Sequence, residues 1–315
     1  MASKHASSKY LLFTVQDAIP SSTHTFFKML QLLTSQQSIA TVSTKQIPYP
    51  DADLFARYQV SNHIEALNLH NDFVCEVPNF GEFARLPFLL KRKIVSVDDV
   101  CAVYKRDIFE NLNKFDENLS FGEDMEFAVR SIKTGYKTGF IGTDGVIHSH
   151  NRKPYYFFKR TFVSTLCDSH HLNIQYKTKL NIANLYSIYL KLIQTAAYTR
   201  YLHPNFSENS ISELKNYDII TNLTSLRKKL KINLLLNLDD QLIDQLWHHY
   251  FTQMQTGINT TKLNQRNVKK HEIKTLLLKI ISASFGHELA KCYLNDKLIN
   301  KHQRKILNDN LSIDI

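Results

Sequence analysis

Tyr10-Leu11-Leu12-Phe13-Thr14-Val15, followed by Gln16-Asp17-Ala18-Ile19-Pro20, decides how the rest of the chain is read. A continuous apolar, β-favouring run predicts a strand buried on both faces, the kind found in sheets covered by helices on either side. The run ends in a turn sequence. Ser21 or Ser22 can then cap a helix in which Phe26, Phe27, Leu30 and Leu33 recur at helical spacing. Residues 38–44 read as a second strand. Strand, helix and strand with short links predict a parallel, doubly wound α/β sheet, whose ligands bind beyond the carboxyl ends of the strands. Asp17 sits at such an end.

Further along, residues 94–106 form a strand-like run interrupted by two adjacent carboxylates, Asp98 and Asp99. Ser120-Phe121-Gly122-Glu123 has the S-x-x-E form of a capping box, and Met125, Val129 and Ile132 give an apolar stripe ending at Gly135. The spacing predicts a helix over 121–134. Two short strands, 136–141 and 145–149, are expected next, and the second carries His148 and His150. Two residues apart on a strand, these imidazoles point to one face. Five of the chain's eight glycines lie between Gly122 and Gly145, which marks a backbone that turns tightly or approaches something closely.

With 315 residues, 43% of them hydrophobic and 22% charged, the chain has enough apolar material for one or two cores, which excludes disorder, collagen-like repeats and coiled-coil rods. Cys75, Cys101, Cys167 and Cys292 lie far apart with no C-x-x-C pair, so a reduced, cytoplasmic compartment is expected. The first residues lack the apolar core of a signal peptide. The net charge of +10 is uneven: residues 1–165 hold 19 Lys+Arg against 17 Asp+Glu, which leaves 20 against 12 for residues 166–315. Six of the seven prolines precede residue 155. The composition therefore predicts a boundary near 165–175, drawn at 168/169, between an α/β domain (1–168) and a mainly helical C-terminal region (169–315).

In that second region, apolar spacing predicts helices over 176–201, 210–230, 238–254 and 269–295. Lys228, Lys229, Lys231, Lys269 and Lys270 could rest on anionic headgroups at the inner face of the cell membrane, or form solvated helix faces. The tandem pairs His170-His171 and His248-His249 diverge on a helix and are not expected to be ligands. No nucleic-acid partner is expected, because the charge is unaccompanied by any RRM, KH, zinc-finger or helix-turn-helix signature.

Phe115-Asp116-Glu117-Asn118-Leu119-Ser120-Phe121-Gly122-Glu123-Asp124-Met125-Glu126-Phe127-Ala128-Val129-Arg130, then Gly135-Tyr136-Lys137 and Val146-Ile147-His148-Ser149-His150, resembles the acceptor-side half of an inverting nucleotide-sugar glycosyltransferase of family 2, with the GT-A fold. Leu12 to Pro20 is similar to the strand-end motif "FLTQDAxP" of its rhamnosyltransferase-like members. Lys45-Gln46-Ile47-Pro48-Tyr49-Pro50 is similar to their "RQxPxP", and Cys101 to Arg106 to their "AxxRR" strand. The resemblance covers residues 1–165. Family members begin with a "VSVVIPTYN" strand well before the "QDA" strand, and their D-x-D is reduced here to Val15-Gln16-Asp17. The resemblance therefore implies an N-terminally truncated member, a GT-A-like doubly wound mixed sheet incomplete at its N-terminus.

It also implies roles. Transfer with inversion needs a base for the acceptor hydroxyl and a means of stabilising the departing nucleoside diphosphate. The catalytic residues would be Asp124, as base, and Glu123, whose capping-box position also explains it without chemistry. In the first turn of a helix Asp124 is expected to stay ionised with an ordinary carboxylate pKa. Gln16, Asp17, His148 and His150 would face the donor, with Asp17 and His148 holding Mg²⁺ or Mn²⁺ as the cofactor. Asp98, Asp99 and Gly122 would face the acceptor. The implied partners are a nucleotide-sugar donor and a saccharide or lipid-linked acceptor, in surface polysaccharide assembly, with rhamnose as the first sugar to try. A second reading is a non-catalytic fragment or partner subunit that binds glycan or a complementary chain.

Overall fold

The computed structural model describes residues 6–77, 79–176, 279, 282–283, 286–287, 289–291, 293–294 and 301–311. The described residues of 1–52, 59–151 and 167–175 make up one compact unit, and those of 53–58, 152–166 and 176 onward fall in a second. The elements bounded among the described residues are β1 (Tyr10–Thr14), β2 (Ile19–Pro20), α1 (Thr25–Ser35), β3 (Ile39–Ile47), α2 (Leu54–Leu67), β4 (Phe73–Cys75), α3 (Phe80–Arg85), α4 (Phe88–Ile94), β5 (Cys101–Lys105), α5 (Arg106–Asn111), α6 (Glu123–Lys133), β6 (Lys137–Ile147), α7 (Pro154–Leu172) and α8 (Lys301–Leu311).

The strands form one mixed sheet in the order β1-β5-β3-β6-β2, with β4 also pairing β6. β1 and β3 run in the same direction but are not neighbours, because β5 lies between them, antiparallel to both. β3 and β6 are parallel. The sheet is thus α/β and mixed, and β1 is its edge rather than an interior strand. Leu11 is buried, while Leu12 is 45% exposed. The apolar run of β1 is continuous because it serves two layers: Leu11 and Phe13 pack toward α5 and α6, and Tyr10 toward α1.

Helices cover both faces. Met29 and Leu33 of α1 meet Ile39, Val42, Cys101, Val103, Ile141 and Val146. On the other face Ile108 and Phe109 of α5 and Met125, Phe127, Ala128, Val129 and Ile132 of α6 meet Ala40, Ala102 and Tyr104. The alternation along β5, with Cys101 and Val103 to one side and Ala102 and Tyr104 to the other, is the period-two pattern of a strand covered twice. Phe13, Tyr104, Phe109, Phe115 and Phe127 form an aromatic cluster with ring centroids 4.9–5.9 Å apart. Edge-to-face and tilted pairs of this kind add about 0.5–1.5 kcal/mol each beyond their burial.

Several local expectations need correction. α1 begins at Thr25 after His24, which makes no side-chain cap, and its buried residues are Thr25, Met29 and Leu33, leaving Phe26, Phe27 and Leu30 exposed. The run 94–106 is not one strand: Ile94 ends α4, and β5 starts only after the two carboxylates. Strands 136–141 and 145–149 are a single β6, with a register shift against β3 between Thr44 and Lys45. Gly145 serves that pairing, whereas Gly142 abuts the backbone of Leu69 to Asn71. A Cβ on Gly145 would run into the carbonyl of Lys45 on the neighbouring strand, so the close approach is to the protein's own sheet.

The capping box is also absent. The residue before α6 is Gly122, at φ 78°, with no side-chain cap, and Glu123 is the first residue of the helix instead of the third. Gly122 takes the N-cap position with a left-handed backbone, which Gly adopts at least cost, so Ser120 stands two residues before the cap. Gly122 is packed against Cys167, whose Sγ would lie 3.3 Å from an added Cβ.

In the second unit, Phe55 and Phe157 stack edge to face at 4.6 Å, and buried Lys279 pairs with Asp53. Expected helices 210–230 and 238–254, nearly all of 176–201, and much of 269–295 lie outside the described residues, as do Lys228, Lys229, Lys231, Lys269 and Lys270. No helix among the described residues is long and apolar enough to cross a membrane.

Candidate functional site

Because β1, β3 and β6 run one way and β5 the other, the carboxyl ends of three strands and the amino end of the fourth share one edge of the sheet. Asp17 follows β1, Gln46 and Tyr49 lie at and beyond the end of β3, His148 and His150 follow β6, and Asp98 and Asp99 precede β5. Residues a hundred positions apart in sequence are thereby brought to one place, the place where α/β sheets bind their ligands.

At one side of this edge Asp17, His148 and His150 each offer a ligand atom within 4.8 Å of the others. His148 Nε2 lies 3.7 Å from Asp17 Oδ1 and 3.1 Å from His150 Nε2, and His150 Nδ1 lies 3.6 Å from Asp17 Oδ2. His148 is buried, and its backbone N–H continues the β3–β6 ladder by donating to Ile47 at 2.8 Å. Its Nδ1 is 2.8 Å from Gln46 Oε1. The Asp17 turn is held from beneath: the Tyr49 hydroxyl donates to the Asp17 carbonyl, while the Tyr49 N–H donates to Ser149 Oγ at 3.0 Å. Gln16, beside Asp17 in the turn, is exposed.

At the other side the groups are all acids. Asp98 accepts from Val100 N–H at 3.0 Å and from the Gln46 amide. Asp99 accepts from the hydroxyl of fully buried Tyr104 at 2.6 Å, so the aromatic core fixes its position. Asp124, in the first turn of α6, accepts from Met125 N–H at 2.6 Å and from Asp99 N–H at 3.4 Å. Burial, then the neighbouring Asp98 and Glu123 charges, push Asp124 up to about 7. Burial, then Asp124, push Asp99 up to about 8. The expectation of an ordinary pKa for Asp124 is therefore corrected: desolvation and crowded negative charge outweigh the helix N-terminus. A carboxylate poised near neutrality is suited to taking and giving up a proton at working pH.

The described site also contains residues to which sequence reading assigned no role. Gln46 lies within the quoted Lys45-to-Pro50 motif, but its part depends on the register that places it opposite Val146, two residues before His148. Tyr104 lay hidden in a strand pattern. Asp144 had no local signal: it is buried where β6 bulges, and it accepts from the hydroxyls of Ser21 at 2.6 Å, Ser22 at 2.6 Å and Thr25 at 3.0 Å, and pairs with Lys28 at 3.3 Å. Burial alone would raise its pKa, but the Ser21 and Ser22 hydroxyls, the Gly145 N–H and the Thr25 hydroxyl hold it well below the usual carboxylate range. The Ser21 and Ser22 hydroxyls thus tie the segment after Asp17 to the strand that carries His148.

No family model matches the chain. Two curated proteins are similar to part of it. The "O-antigen chain rhamnosyltransferase WbaN" of Salmonella anatum is 30% identical over 155 residues, 49% of this chain and 45% of that protein. The "O-antigen chain rhamnosyltransferase RfbN" of Salmonella typhimurium is 31% identical over 152 residues, 48% of this chain and 45% of that protein. The similarity supports a glycosyltransferase family. The chain spans about half the length of the curated relatives it matches.

Proposed function

We propose that the chain is, or forms part of, an inverting glycosyltransferase of family 2 and the GT-A fold that moves a sugar, rhamnose in the first instance, from a nucleotide-sugar donor to a saccharide or lipid-linked acceptor in O-antigen assembly. The observation that carries this reading is the meeting of two unlike clusters at one sheet edge, Asp17 with His148 and His150, and Asp98 with Asp99, Glu123 and Asp124. The partial similarity to two O-antigen rhamnosyltransferases supports the sugar and the acceptor class.

In this reading the acceptor hydroxyl lies against Asp124. As its oxygen bonds to the anomeric carbon, the bond from that carbon to the diphosphate breaks, and the hydroxyl proton passes to Asp124. Asp98 and Asp99 face the acceptor's hydroxyls. Asp17, His148 and His150 fit a divalent cation, and two imidazoles with one carboxylate suit Mn²⁺ better than the oxygen-preferring Mg²⁺. When bound, such an ion supplies positive charge against the leaving diphosphate. Gln16 stands beside it on the donor side.

Incubation of the full chain with Mn²⁺, nucleotide-rhamnose and a lipid-linked O-antigen precursor tests the reading directly. Release of nucleoside diphosphate matched by sugar on the acceptor is the expected result. Acceptor left unmodified with every activated sugar tried would leave the reading without its activity.

A further inference from the structure

Gln46 stands between the two clusters, touching His148 on one side and Asp98 on the other. Its amide has one end that only accepts and one that only donates, so its neighbours decide which way it points. A carboxylate accepts. The Gln46 NH₂ therefore faces Asp98 Oδ2, and Oε1 faces His148. An amide oxygen in turn requires a donor, so the proton of the neutral imidazole sits on Nδ1 and the lone pair on Nε2. That Nε2 is the atom directed at Asp17 and His150.

We propose that Gln46 is a positioning residue: by donating to Asp98 and accepting from His148 Nδ1–H, it holds His148 in the one tautomer whose Nε2 can ligate a cation beside Asp17. The inference deepens the transferase reading and rests on it only for the use made of the cation. Three features of the fold make the device rigid. The Gln46–Val146 register and the His148 N–H to Ile47 bond fix both backbones, and the Val100 N–H fixes Asp98 from behind. Partners that orient a metal-binding imidazole from its far nitrogen change metal affinity by about 10–100-fold when removed. The chain Asp98–Gln46–His148 also joins the carboxylate cluster to the imidazole cluster, so a change at Asp98 reaches the cation side without touching it.

The test uses the full chain labelled with ¹⁵N-histidine, with the His148 ring signals assigned by their loss in His148→Gln. The wild type should show Nδ1 protonated in the neutral ring. In Gln46→Leu that preference should be lost, and Mn²⁺ affinity, read by electron paramagnetic resonance of the free ion, should fall about 10–100-fold. The double variant Gln46→Glu with Asp98→Asn reverses the donor and acceptor at one link but keeps an oxygen facing Nδ1. It should restore both the tautomer and most of the affinity, and thermal melts of each variant establish that it is folded. A wild-type His148 protonated on Nε2, or unchanged Mn²⁺ affinity in folded Gln46→Leu, overturns the proposal. A wild type with the expected tautomer that binds no Mn²⁺ removes the cation from the transferase reading and the claim on affinity with it, and leaves the tautomer assignment standing. Absence of sugar transfer, by contrast, touches the transferase reading alone.

Discussion

Asp17 and Asp124 are both aspartates just beyond a strand or at a helix start on the same sheet edge, yet their surroundings fit them for different work. Asp17 is partly exposed, with a 43% accessible side chain, and its neighbours are two imidazoles. Asp124 is surrounded by other carboxylates and pushed up to about 7. Acid beside imidazole makes a set of donors for a cation. Acid beside acid makes a place where a proton is held. Residue type carries little information by itself, since the neighbours delivered by other elements decide which chemistry an aspartate can do.

The largest effect should come from the proton-holding side. Asp124→Asn in an active preparation is expected to lower turnover by at least about a hundredfold, the usual size of a general-base contribution. Activity of the unaltered chain should depend on pH as a base demands, falling about tenfold per unit below a pKa of about 7 and levelling above it. A flat profile across that range, or normal turnover in the Asn variant, would move the base elsewhere.

At Asp99 the same crowding shows itself in stability. Its folded pKa is raised, so between the unfolded value of about 4 and the folded value of about 8 the native state holds a proton that the unfolded chain has released. Its contribution to stability is therefore present below that window and lost as pH rises through it. Asp99→Asn, which still offers the Tyr104 hydroxyl an oxygen, should flatten the fall of the melting temperature between about pH 5 and 9. A decline as steep as the wild type's would show that Asp99 is not the group responsible.

Asp144 runs the other way and by less. With its pKa held low, its contribution is present above about pH 4 and lost as pH falls further. Asp144→Asn removes the charge that accepts from Ser21, Ser22 and Thr25, at a cost of about 1–2 kcal/mol near neutrality. Chemical denaturation at neutral and acidic pH would measure it, and the difference between the two proteins should narrow in acid.

How much of this was legible depended on how local the signal was. β1, α1, β3 and the α6 stripe follow from spacing within a dozen residues; Asp17, His148 and His150 stand just past the ends of strands, and Asp124 stands out through the Gly122-Glu123-Asp124 motif at the start of α6. The insertion of β5 between β1 and β3 was not legible, since it pairs segments some sixty and ninety residues apart and no pattern in either strand names its neighbour. The capping box failed for a backbone reason, the left-handed turn at Gly122. Asp144 and Gln46 escaped because hydrogen bonds to partners about a hundred residues away define them.

If cation donors gather on one side of the site and proton-holding carboxylates on the other, a titration of Mn²⁺ into the full chain separates the two roles. Wild type and Asp124→Asn should bind the ion alike, while Asp17→Asn should lose at least about a hundredfold in affinity, more than a supporting residue would cost. Equal binding by Asp17→Asn and wild type, or a loss in Asp124→Asn as large as that in Asp17→Asn, would contradict the division.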